Sequence, residues 1–231
     1  MKKTSVVSFL ITLMFAASVV CIQGQRQEEV KDRDGNPVKL GEQYFIQPVK
    51  TESNSGGGLV PAANNMRSFC PLGITQTLIS YQPGVPVSFN LPYALMETIV
   101  KTSLAVNIEF KSHIWPVCNE FSKFWEVDGS SPVHKERKIL IGGKPQEKNS
   151  WFKIEKAGEG AGENTYKLTT LTGTVGAIPG ACAWLSAPQL IITNDDAKTL
   201  LVKFKKVDDA TTAATSTSRV EKLGLRMFPF Y

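Results

Sequence analysis

The sequence predicts an all-β protein, on three observations. Short segments that alternate apolar with polar residues recur along the chain, such as Trp151-Phe152-Lys153-Ile154-Glu155 and Leu201-Val202-Lys203-Phe204-Lys205, and period-two alternation marks a strand with one buried face. Gly, Pro, Asn and Asp bound these segments and supply turns. No segment carries a convincing long amphipathic helix. Many short strands joined by turns imply a barrel or a sandwich.

Taken in order, strands are expected at Gln43 to Pro48, Thr75 to Ser80, Leu104 to Phe110, Phe124 to Val127, Lys138 to Ile141, Trp151 to Glu155, Tyr166 to Thr170, Leu190 to Thr193 and Leu200 to Val207. Ser53 to Gly58 reads as a flexible surface loop, and Thr172 to Gly180 as a long Gly-rich loop. Asp208 to Ser218 is Thr, Ala and Ser with two acids, a linker composition. It leads to the apolar tail Val220 to Tyr231, for which packing back on the domain is the favoured reading over recognition by another protein.

Composition narrows the function classes. Apolar residues make up 42% of the 231 and charged residues 20%, the balance of a folded rather than a disordered chain. Of the net charge of +5, Lys2 and Lys3 supply two, so the remainder carries +3, with both signs interspersed. That is not the clustered basic face of a nucleic-acid binder. The only histidines, His113 and His134, read as surface residues and exclude a multi-His metal centre.

The N-terminus reads as a secretory signal. Lys2 and Lys3 precede an uncharged, largely apolar stretch from Thr4 to Gln25 with its core at Val6 to Val20. Ser5, Ser8, Thr12 and Ser18 interrupt it and no stop-transfer charges follow, which argues against a single membrane anchor. Residues 1–24 are therefore expected to be removed, leaving a domain over 25–208 and a linker with tail over 209–231. The mature protein is expected to be secreted, monomeric and off the membrane, with diversion to a vacuole left open. Cys21 would leave with the signal. Cys70 and Cys118, which bracket a stretch rich in strand-formers, are the natural disulfide pair in an oxidising compartment. Closing that loop stabilises by about 4 kcal/mol in the chain-entropy view. Cys182 is left over and reads as a small buried hydrophobe.

Val30-Lys31-Asp32-Arg33-Asp34-Gly35-Asn36-Pro37-Val38, followed after five residues by Tyr44-Phe45-Ile46, resembles the N-terminal signature of the Kunitz family typified by soybean trypsin inhibitor. Further similar segments follow in order: Cys70-Pro71-Leu72, Asn107-Ile108-Glu109-Phe110, Trp125-Glu126-Val127, Ile141-Gly142-Gly143, Trp151 to Lys156, Tyr166-Lys167-Leu168 and Val202 to Lys206. The resemblance covers about residues 28 to 208. It implies a β-trefoil of twelve strands with pseudo-threefold symmetry, a Cys70–Cys118 disulfide, and inhibition of a protease by a protruding loop whose extended shape mimics substrate.

By the same resemblance the inhibitory loop is Pro92, Tyr93, Ala94, Leu95 and Met96, within Phe89 to Met96. Its Pro-Tyr puts the primary specificity residue at Ala94 and the scissile bond before Leu95. Three departures from the family pattern bear on function. Ser88 to Ile99 contains no Lys or Arg, so the expected target is an endopeptidase of the serine class with a small or hydrophobic pocket rather than trypsin. Leu40 stands where the family's trypsin inhibitors place an Asn that hydrogen-bonds the loop carbonyls. Leu171 stands where the second disulfide usually begins. These departures keep open a non-inhibitory miraculin-like or storage role on the same scaffold.

An enzyme is not expected. The chain has no Gly-x-Ser-x-Gly elbow, no His-Glu-x-x-His and no phosphate-cradling Gly loop. Ser150 and Lys153 match Ser-x-x-Lys but would point to opposite faces of a strand, and Asp32 to Asn36 lacks the closing ligands of a calcium loop. No Gln-x-Trp triplet and no Asn-x-Ser/Thr sequon occurs. No cofactor, metal or nucleic acid is called for; the expected partner is a target protease.

Overall fold

The computed structural model describes residues 27–51, 56–63, 70–112, 117–130, 136–179 and 187–208. The expected signal segment, His113, His134, Cys182 and the tail lie outside these residues. Twelve strands run in chain order: β1 Gln43–Pro48, β2 Leu59–Ala62, β3 Gly73–Gln76, β4 Val87–Asn90, β5 Ala105–Phe110, β6 Trp125–Val127, β7 Arg137–Ile141, β8 Phe152–Lys156, β9 Tyr166–Thr170, β10 Gly173–Ile178, β11 Gln189–Thr193 and β12 Leu201–Lys206. Two single 3-10 turns, Lys148–Ser150 and Asp196–Lys198, are the helical elements among them.

Pairing closes twice. β1, β4, β5, β8, β9 and β12 form an antiparallel ring in which β12 returns to β1. Hairpins β2–β3, β6–β7 and β10–β11 cap one end of that barrel, and β3, β7 and β11 pair with one another in a triangle. Each successive set of four strands thus gives its outer two to the barrel and its inner two to the cap. This is the β-trefoil that the sequence resemblance implied, and closure leaves the ring without a bare strand edge.

The alternation seen in sequence sorts residues as expected. Val202 and Phe204 are buried while Lys203 and Lys205 face outward, and Phe152 and Ile154 are buried around outward Lys153. Inside, Phe89 and Phe204 meet edge to face at 5.3 Å, and Tyr166 packs on Phe204 at 5.6 Å. Trp125 fills the space between Phe110 and Phe152. Cys70 and Cys118 are disulfide-bonded with Cα atoms 5.7 Å apart.

Three sequence expectations are corrected. The strand expected over Thr75 to Ser80 ends at Gln76, because Thr77 donates its N–H to the Gly58 carbonyl and the chain turns outward at Leu78. Gly57 and Gly58, expected in a flexible surface loop, are buried. A Cβ at Gly57 would lie 2.2 Å from the Thr77 carbonyl, and one at Gly58 would lie 2.0 Å from that of Pro83. Finally, the Gly-rich stretch from Thr172 is mostly strand β10. Gly176 is there because the Lys198 carbonyl approaches to 2.6 Å of where a Cβ would be.

The N-terminal segment 28–41 is tied to the barrel, with the Val30 N–H donating to the Val100 carbonyl and the Arg33 N–H to that of Phe204. The buried Asp32 carboxylate accepts the N–H groups of Asp34 and Asn36, both at 2.9 Å, so this acidic stretch is a turn. Two buried tyrosines hold the segment: Tyr166 Oη accepts from the Lys31 N–H at 2.8 Å, and Tyr44 Oη from the Lys39 N–H at 2.9 Å. Burial raises both phenols' pKa values.

Candidate functional site

The loop joining β4 to β5 is built on two pinned feet. Leu40 and Gly41 run between them. The Gly41 N–H donates to the Phe89 carbonyl and the Leu40 N–H to the Thr98 carbonyl, each at 2.9 Å. Lys39 bridges Ile99, and the Val100 N–H donates to Val38. Leu40 itself is half-buried against the core. Its side chain offers no donor, as expected, and its backbone supplies one instead. On the first foot, Asn90 Nδ2 donates to Ser88 Oγ at 3.2 Å and to Glu109 Oε2 at 3.3 Å. On the second, Lys101 and Glu97 form an ion pair at 2.9 Å.

Between the feet the chain stands out into solvent. Pro92 is buried, whereas Tyr93 is 57% and Leu95 54% exposed, and Ala94 and Met96 also lie open. Four of the five loop residues expected from sequence are therefore at the tip, and Pro92 belongs to the base. The tip carries no charge, so what it offers is exposed backbone with small and apolar side chains. Tyr93 does not swing free: its ring meets Trp151 edge to face at 5.3 Å. Trp151 was legible in the sequence only as a strand residue, because nothing local marks a contact between β4's loop and the start of β8.

A second apolar surface follows β3. Leu78, Ile79 and Tyr81 are exposed on the turn 77–83. Beside it a cleft of about 960 Å³ is lined by Val49, Leu78, Ile178, Pro179, Pro188 and Leu201, with Lys167 and Lys198 among its polar residues. Lys198 is paired with Glu136 at 2.5 Å, which raises its pKa. Leu171 is exposed at the β9–β10 turn. Among the described residues no group of His, Cys, Asp and Glu is arranged to hold a metal ion.

The profile of the Kunitz legume family, described as trypsin and protease inhibitor, matches residues 30–206. This chain belongs to the Kunitz family. It is 68% identical over 216 residues to Kunitz trypsin inhibitor 2 of Arabidopsis thaliana, covering 94% of this chain and 98% of that protein. Among solved Kunitz-fold structures, the water-soluble chlorophyll protein of Brassica oleracea var. Botrytis with chlorophyll b is 62% identical, with a TM-score of 0.71 over 78% of this chain and 99% of that one. Soybean trypsin inhibitor shares the fold at 24% identity, with a TM-score of 0.62 over 78% of this chain and all of that one (100%).

Proposed function

We propose that this Kunitz protein is an exported inhibitor of an endopeptidase with a small or apolar specificity pocket. The observation that carries the reading is the loop 91–98, which presents Tyr93, Ala94, Leu95 and Met96 to solvent above two feet pinned by backbone hydrogen bonds. A loop fixed at both ends loses little entropy on entering a protease cleft. With Ala94 as the primary specificity residue and Leu95 after the scissile bond, the loop suits elastase-, chymotrypsin- or subtilisin-like pockets better than one holding a buried carboxylate. The relatives named trypsin inhibitors support inhibition as such, and the loop's lack of Lys and Arg carries the choice of pocket. Titrating purified serine, cysteine and aspartic proteases with the protein tests it. Stoichiometric inhibition of at least one serine protease, with trypsin spared, is the expected result, and no inhibition across the panel would overturn it.

A second reading is binding of a chlorophyll-like tetrapyrrole, favoured by 62% identity to a protein solved with chlorophyll b. The exposed Leu78, Ile79 and Tyr81, next to a cleft walled by Val49, Ile178, Pro179 and Pro188, fit an apolar ring and hydrocarbon tail. Mixing the protein with detergent-solubilised chlorophyll b and following pigment absorbance through gel filtration separates the two readings. Pigment that comigrates with a protein inhibiting nothing would favour the second.

A further inference from the structure

We propose that Trp151, acting through Tyr93, braces the inhibitory loop in place of the side-chain donor that Leu40 lacks. The inference rests on the inhibitory reading for its purpose, though its measurement does not. Tyr93 directly precedes Ala94, so whatever holds the Tyr93 ring also limits the backbone beside the scissile bond. Tyr93 is more than half exposed, and its ring meets Trp151 edge to face, 5.3 Å between centroids at 72°. Such a pair contributes through geometry beyond the area it buries.

Trp151 is itself fixed. Its Nε1 donates to the Pro145 carbonyl at 2.8 Å. The same carbonyl accepts from Asn107 Nδ2 at 3.2 Å, and that amide also donates to the Ser150 carbonyl at 2.9 Å. Asn107 is fully buried on β5, directly opposite Asn90 at the end of β4. The first foot of the loop and the anchor of its brace thus hang on facing residues of two paired strands. The second foot is held separately by Leu40 and by the Glu97–Lys101 pair. Held at Tyr93 and from Glu97 onward, the loop leaves only Ala94 to Met96 to be ordered by a protease.

A double-mutant cycle on Tyr93→Ala and Trp151→Ala tests this, read by backbone 15N order parameters with no protease present. Order parameters at residues 94–96 are expected to fall toward about 0.6 in each single variant and no further in the double variant, while β5 and β8 stay at about 0.85. Trp151→Phe keeps a ring but loses the Nε1 bond to the Pro145 carbonyl, and should fall between the wild type and Trp151→Ala. Where Trp151→Ala fails to fold, Tyr93→Ala, at an exposed position, gives the loop reading with Trp151→Phe. Unchanged order parameters at 94–96 in the single variants, or a double effect equal to the sum of the two, would overturn the brace. Against a protease that the panel shows to be inhibited, the single variants should bind about tenfold more weakly. If no protease is inhibited yet the cycle shows coupling, the inhibitory reading fails and the brace stands.

Discussion

Two apolar segments stand on the surface of this molecule, and they are built in opposite ways. The turn 77–83 is welded along its length. Gly58 donates to the Gln82 carbonyl and accepts from the Thr77 N–H, and Val85 donates to Leu59. Glycines at 57, 58 and 84 let the strands of backbone touch, since any Cβ there would overlap a main-chain atom. The loop 91–98 is instead pinned at its feet and touched by one ring, with its tip free. A welded base presents apolar side chains whose backbone does not adapt, which suits a rigid apolar ligand. A span held at its ends presents exposed backbone, which suits an enclosing protease cleft. The two proposed functional readings correspond to these two surfaces.

Breaking the weld should have the largest effect. Gly58→Ala drives a methyl group into the Pro83 carbonyl and the Gly84 nitrogen, and overpacking of this kind costs about 3 kcal/mol. The urea midpoint should fall with an unchanged slope. Gly129→Ala, where a Cβ meets nothing within 4 Å, is the control and should leave the midpoint in place. Equal midpoints in the two variants would show that the glycine run is not a weld.

Next in size is a change of specificity at the loop. Ala94→Arg should create trypsin inhibition by giving the pocket carboxylate a charge-assisted partner, about 2–3 kcal/mol or roughly a hundredfold. Stability should move by less than about 0.5 kcal/mol, because Ala94 is exposed. Adding Leu40→Asn should improve inhibition by about 1 kcal/mol through a restored donor. It should also lower stability, because Leu40 packs on the core. A folded double variant that leaves trypsin untouched at micromolar concentration would remove this loop from consideration.

The smallest effect is expected from pH, and it should separate the two regions. Burial raises the pKa values of Tyr44 and Tyr166 above the ordinary 10.0. Their contribution to stability is therefore complete below pH 10 and is lost as pH rises through the folded-state values, with up to about 1.4 kcal/mol per pH unit for each phenol in its window. Tyr44 holds Lys39, next to the residues that pin the loop. Above pH 10, a nitroxide label placed at exposed Leu95 (Leu95→Cys) should consequently gain mobility before one at exposed Ile79 (Ile79→Cys). Tyr44→Phe should abolish that order, and identical pH profiles at the two labels would show that Tyr44 does not support the loop.

Much of this was legible in the residues. The alternation in β8 and β12 pointed to an all-β barrel or sandwich, and the family resemblance from Val30 to Val38 onward pointed to the trefoil, to the Cys70–Cys118 disulfide and to the loop 92–96. Strands β2, β4 and β10 were missed. Each is short or carries Pro61, Gly173 or Gly176, residues that local propensity assigns to turns and that only cross-strand partners turn into ladder.

What the sequence determined by itself were properties that depend on neighbours along the chain: which faces of β8 and β12 are apolar, the turn at Asp32 to Asn36, and the absence of a cation from the loop. Tertiary structure alone decided what depends on residues distant in sequence. It made Gly57 and Gly58 a packed joint rather than a flexible linker, supplied the loop's feet from the backbone of Leu40 and Gly41, and brought Trp151 under Tyr93. Alternation and turn chemistry are one-dimensional signals, whereas close approach of two backbones, or of two rings, exists only once the barrel has closed.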